Sequence, residues 1–173
     1  MRKVFLCLCV VIFSLGFIGC SNDANTAFMV PKDGAYTSTP QEYIDMVNQI
    51  SSNQSDFSLA PIPSFTGADT EIEIGSFKCT LNFQTNEAGQ ITQIEISWDG
   101  TGAGPLENGY NLALLTIGML SPDDAETVAA ELDMLNTSKP MYSTEAISNG
   151  TRYSYDCYGN GVYSTLIIES VQS

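Results

Sequence analysis

The chain has 173 residues, 43% of them hydrophobic, with 20 Asp or Glu against 6 Lys or Arg, a formal charge of −14 and no histidine. Nothing offsets phosphate repulsion, so nucleic-acid binding is excluded, and charge-driven docking on anionic lipid is disfavoured. The absence of histidine removes Ser-His-Asp and Cys-His activation and the commonest zinc ligand, so no cofactor or metal site is expected.

Arg2 and Lys3 precede a nearly uninterrupted apolar run from Val4 to Ile18. A basic start, an apolar stretch and a small-residue exit make an export signal, and the run is shorter than the ~20 residues that a spanning helix needs. Its end, Leu15-Gly16-Phe17-Ile18-Gly19-Cys20, resembles a bacterial lipoprotein signal, with Gly19 before the lipidated cysteine and Phe17 where that family favours leucine. The resemblance implies cleavage before Cys20 and palmitate-type acylation of Cys20. It also implies a protein anchored to the cell membrane by that lipid and facing outside the cytoplasm. Ser21 after the cysteine resembles the outer-membrane sorting pattern. All 20 acidic residues lie beyond Cys20, opposed there only by Lys32, Lys78, Lys139 and Arg152; a solubility coat is the simplest use of such charge.

Residues 1–19 are thus expected to be a signal peptide and 20–38 a lipidated cysteine with a flexible tether, because Ser21 to Ser38 is polar without periodicity. Residues 39–173 are expected to form a single α+β domain. Thr39-Pro40-Gln41-Glu42 has the capping-box pattern with proline at the first helical position. Tyr43, Met46, Val47 and Ile50 recur at helical spacing, which predicts a helix over 40–51. Pro61 and Pro63 force extended backbone through Ser52 to Asp69, where Phe57, Leu59, Ile62 and Phe65 are placed to pin the crossing to the core. Phe77, Cys79, Leu81 and Phe83 alternate with polar residues, as do Ile94, Ile96 and Trp98. A loop at Asn86 to Gly89 would set Phe83 opposite Thr92, Leu81 opposite Ile94, Cys79 opposite Ile96 and Phe77 opposite Trp98, with the apolar side chains on one face. Ile72 and Ile74 have the opposite phase, and Gly75 marks a bulge where register is restored.

A helix over about 107–119 follows, carrying Leu112, Leu115 and Met119, with Ala113 and Gly118 allowing close approach. Ser121-Pro122-Asp123-Asp124 opens another, with Ser121 as cap and Ala125, Val128, Leu132 and Leu135 as its buried stripe. Asn149-Gly150 and Asn160-Gly161 are two-residue hairpin signals. Turning at the second sets Cys157 opposite Ser164, Tyr155 opposite Leu166 and Tyr153 opposite Ile168, with Arg152–Glu169 and Tyr158–Tyr163 on the other face. The expected fold is α+β in the order α-β-β-α-α-β-β-β, an antiparallel sheet of about five strands with three helices on one face and the other face partly solvated.

Few residues carry a chemical signal. Gly100-Thr101-Gly102-Ala103-Gly104 is placed like a dinucleotide-binding turn, but Pro105 stands where the third glycine belongs, and a connector explains the run more simply. Asp69, Glu71 and Glu73, and Asp123, Asp124 and Glu126, lack EF-hand spacing and read as a strand's outward face and a first helical turn. Cys79 and Cys157 both point inward, so a disulfide between them is the expectation in an exported chain, with two buried free thiols as the alternative. Tyr158 and Tyr163 flank a hairpin tip on the outward face. With Arg152, Glu95 and Lys78 as neighbouring polar groups they form the candidate binding face, the plainer alternative being a cross-strand pair that stabilises the hairpin. Two functions follow. One is a non-catalytic binding module for a protein, peptide or cell-envelope ligand, resembling in outline small secreted inhibitor or binding modules that use a free sheet face. The other is a carboxylate-dependent hydrolase of an envelope polymer, which requires a cleft with two facing carboxylates.

Overall fold

The computed structural model describes residues 29–53, 59–67, 71–75, 79–100, 103–134, 139–159 and 162–171. Cys20, Phe57, Asp69, Phe77, Lys78, Leu135 and the Asn160-Gly161 turn lie outside them.

The fold is α+β, with an order richer than the sequence pattern suggested. Two short strands, β1 (Pro31–Lys32) and β2 (Ala35–Tyr36), precede helix α1 (Pro40–Ser52). Strands β3 (Ile72–Glu73), β4 (Cys79–Thr85) and β5 (Ile91–Asp99) lead to helices α2 (Ala103–Leu120) and α3 (Ala125–Leu132). The chain closes with β6 (Met141–Ser148), β7 (Thr151–Tyr158) and β8 (Tyr163–Ser170). The main sheet is six-stranded and antiparallel in the order β3-β4-β5-β8-β7-β6.

Residues 29–38 are not tether. Asp33 and Gly34, with φ of 54° and 80°, close the β1–β2 hairpin, and Met29 and Tyr36 are fully buried. Tyr36 donates its hydroxyl hydrogen to Thr151 Oγ1 at 3.4 Å, and Ile91 N–H donates to Ser38 O at 3.1 Å. Asp-Gly is itself a hairpin signal, but two-residue strands carry no alternation to read. The expected bulge at Gly75 is likewise a reversal. Ile72 pairs with Leu81 and Glu73 with Thr80, with Gly75 at φ 68° where the chain turns back, so the sheet gains a sixth strand.

α1 begins with the expected box: Thr39 N–H donates to Glu42 Oε2 at 2.8 Å and Glu42 N–H to Thr39 Oγ1 at 3.4 Å. α2 starts at Ala103, four residues earlier than expected, because proline suits a first helical turn. Ser121 does not cap α3. Asp124 occupies that position, and Ser121 is buried with its hydroxyl 2.7 Å from that of Tyr153.

The β4–β5 register also differs. Cys79 faces Trp98, Leu81 faces Ile96 and Phe83 faces Ile94, with an irregularity at Gln84/Thr85. Asn86 sets the longer loop: its Oδ1 accepts from Ala88 N–H and Gln90 N–H, each at 3.0 Å. A slip of two residues leaves every side chain on its expected face, so the apolar surface survives the error. The β7–β8 register matches expectation at every pair named above.

All three helices cover the face that carries Leu81, Phe83, Ile94, Ile96, Tyr153, Leu166 and Ile168. The Tyr43 ring meets Phe83 edge-on at 5.4 Å, and α2 lies so close to β5 that a Cβ on Gly109 would clash with the Trp98 ring. The proline-rich crossing is pinned by side-chain amides as well as by Ile62. Asn48 exchanges two hydrogen bonds with the Ile62 backbone (2.9 and 2.8 Å), Gln41 Oε1 accepts from Phe65 N–H at 2.9 Å, and Asn108 Oδ1 accepts from Ala60 N–H at 2.8 Å.

Candidate functional site

With the helices on one face, the polar positions of β4 to β8 share the opposite, outer face. Strand pairing arranges them in rows. At one end Met141, Tyr158, Tyr163 and Asp99 lie side by side across β6, β7, β8 and β5. The next row runs Ser143, Asp156, Thr165, Ser97 and Thr80. Tyr158 is 47% and Tyr163 55% exposed, whereas Asp99, at 8%, is covered.

A shallow cavity of about 210 Å³ lies in this corner, lined by Tyr158, Tyr163, Asp99, Thr80, Ser97 and Thr165 among others. The Ser97 and Thr165 hydroxyls lie 3.0 Å apart across the β5–β8 pair. The arrangement sets two large amphipathic rings beside a floor of hydroxyls and one carboxylate. Such a corner offers flat apolar area together with short hydrogen-bonding groups, which suits binding. A second shallow cavity, about 180 Å³, lies where the β1–β2 hairpin meets the β4–β5 loop and is lined by Lys32, Asp33, Tyr36, Thr37, Asn86 and Gln90. Each cavity has a single lining carboxylate, so neither has the facing pair that glycosidic hydrolysis requires.

The expected neighbours of the tyrosines are elsewhere. Arg152 shares the outer face but stands at the opposite end of β7 from Tyr158, roughly 20 Å away at ordinary strand rise. There it bridges β6 and β8, with Nε 3.8 Å from Glu145 Oε2 and Nη1 3.7 Å from Glu169 Oε2. Glu95 sits opposite Ile167, two rows from the aromatic corner, and Lys78 lies outside the described residues. The groups that do line the corner were missed because β5 pairs with β8 across two intervening helices and two intervening strands. Their one sequence signal is outward phase, which any polar strand position shares.

Cys79 and Cys157 are buried free thiols, so the bridge expected from the sequence does not form. Both point inward and fall in one row, Cys79–Trp98–Ser164–Cys157. Three inter-strand spacings put their Cα atoms about 14 Å apart, twice the reach of a disulfide. Burial pushes the Cys79 thiol up to about 12, which removes thiolate reactivity at neutral pH. The carboxylate runs are structural where described. Glu71 and Glu73 are exposed at the short edge strand, and Asp124 Oδ2 accepts from Ser148 Oγ at 2.7 Å. No group of three or more metal-ligating side chains occurs among the described residues.

Comparison with protein-family models, with curated proteins and with solved structures finds no match to this chain.

Proposed function

We propose that this chain is an exported lipoprotein, held to the membrane by acyl chains on Cys20, whose acidic domain is a non-catalytic binding module for a protein, peptide or cell-envelope ligand. The observation that carries the binding reading is the aromatic corner. Tyr158 and Tyr163 stay about half in water beside a hydroxyl-lined hollow, while the opposite face of the same sheet buries its apolar side chains under helices. Rings held on two hydrogen-bonded strands lose little freedom when a ligand covers them, which is why such positions concentrate binding energy. The acidic surface keeps the domain soluble and favours neutral or basic ligands.

The anchor is tested by Cys20→Ser, which moves the protein from the detergent phase to the aqueous phase in phase separation. Unchanged partition would mean that Val4 to Ile18 itself holds the membrane. The binding face is tested by capture of envelope components on the full chain. The double variant Tyr158→Ser/Tyr163→Ser lowers capture by about tenfold or more and shifts the melting temperature by only a few degrees, as surface substitutions do. A large loss of stability with capture intact would make the pair structural.

A further inference from the structure

The two edges of the six-stranded sheet are unlike. β3 is two residues long, and Glu71 and Glu73 are exposed there, a short charged edge of the kind that resists pairing. β6 is the other edge and runs eight residues with no proline or lysine and one carboxylate. Its ladder to β7 has a definite parity. Asn149-Gly150 closes a two-residue turn on the Ser148–Thr151 pair, and Gly159 N–H donates to Pro140 O at 2.8 Å at the far end. Even-numbered residues of β6 therefore direct their backbone groups to β7, and alternation aims the N–H and C=O of Met141, Ser143, Glu145 and Ile147 the other way. Among the described residues no strand pairs with that side. The same four residues put their side chains on the outer face, where Met141 is 67% and Ile147 59% exposed.

We propose that β6 pairs antiparallel with β6 of a second copy of this chain, about a twofold axis at Thr144. Residues directly opposite in an antiparallel pair share a face, so odd-numbered positions must meet odd-numbered ones. With Thr144 opposite Thr144, Met141 of each copy meets Ile147 of the other, and Ser143 meets Glu145. The four outward-aimed residues then make the hydrogen-bonded pairs, and the two exposed apolar side chains of each strand cover one another. Moving the axis to Glu145 sets two carboxylates opposite each other, which is destabilising, and takes Met141 past the partner strand's end. Moving it to Ser143 puts Ile147 opposite Lys139. The Thr144 register alone satisfies backbone parity, apolar cover and charge. It also extends the row Met141–Tyr158–Tyr163 by an isoleucine from the second copy, making one apolar strip across the interface. The pairing does not depend on what the tyrosine corner binds.

A charge of −14 on each chain opposes association until salt screens it, so the dimer strengthens as ionic strength rises from about 0.01 to about 0.15 M. The test is the protein mass of the full chain in mild detergent, by light scattering that separates protein from bound detergent. Wild type is expected as a dimer. Met141→Glu/Ile147→Glu places like charges opposite each other twice and abolishes it. Met141→Lys/Ile147→Glu places opposite charges there twice and restores it, which separates lost pairing from lost fold. A monomer at every concentration and salt overturns the proposal, as does a dimer that survives the first variant or fails to return in the second.

Discussion

Trp98 shows how one side chain sets limits on several others. It lies between the two cysteines in the cross-sheet row, stacks on Tyr155 at 5.9 Å and 26°, and leaves α2 room for a backbone but no side chain at Gly109. Ordinarily Gly→Ala inside a helix stabilises by up to about 1 kcal/mol. Here the added methyl would meet an aromatic ring that is itself held by Tyr155, whose hydroxyl lies 2.9 Å from Ser164 Oγ. Gly109→Ala is therefore expected to destabilise by about 1–3 kcal/mol, the usual effect of overfilling a core. Urea titration of the two forms measures it; a gain in stability would mean that α2 moves away from β5 freely.

Among the elements, α1 depends most on local chemistry and α3 most on its neighbours. Thr39 and Glu42 cap the start of α1 through two backbone N–H groups, and the hydrogen bonds that the Glu42 carboxylate accepts from the Thr39 N–H and the Thr39 hydroxyl hold it below its usual range. Thr39→Ala is expected to lower stability by about 1 kcal/mol, typical of losing a side-chain cap, seen as a melting temperature lower by a few degrees. An unchanged melting temperature would show that tertiary contacts alone hold the first turn. α3 has no side-chain cap of its own, and the sheet completes it. Tyr142 donates to Asp133 O at 2.7 Å and Thr144 Oγ1 to Leu132 O at 2.8 Å, which satisfies carbonyls at its C-terminal end. Asn149 Nδ2 does the same for Leu120 O of α2 at 2.8 Å. The start of α1 was legible in the sequence because its cap is written within four residues, whereas at the start of α3 Asp124 makes no cap bond and its carboxylate accepts instead from Ser148 of β6.

For the whole molecule, the buried phenols tie stability to alkaline pH. Burial raises Tyr155 to about 12, against the opposing hydrogen bond from Ser164. Burial likewise raises Tyr36, Tyr43 and Tyr153 above the ordinary phenol value. A group whose native pKa lies above its unfolded one favours the native state fully below the unfolded value, and that contribution is lost as pH rises towards the native one. Stability from these tyrosines is thus complete below about pH 10 and is lost progressively above it, that from Tyr155 between about 10 and 12. Denaturant midpoints across that window should decline steeply. A flat profile would mean that the phenols ionise without unfolding, hence that water reaches them in the native state.

What the sequence by itself determined was short in range or robust to slippage. The capping box at Thr39, the Asn149-Gly150 turn and the β7–β8 register all rest on residues close together in the chain. The inward and outward faces of β4 and β5 were legible even though their register was two residues off, because side-chain direction repeats with period two and ignores such a slip. Only the tertiary structure decided that β5 lies against β8, and three consequences follow from that one pairing. It places three strand spacings between Cys79 and Cys157, gathers Asp99, Ser97 and Thr165 around Tyr163, and leaves β6 as an eight-residue edge. Strand neighbours separated by two helices and two other strands are chosen by how well whole faces cover one another in three dimensions, and no local pattern along the chain records that choice.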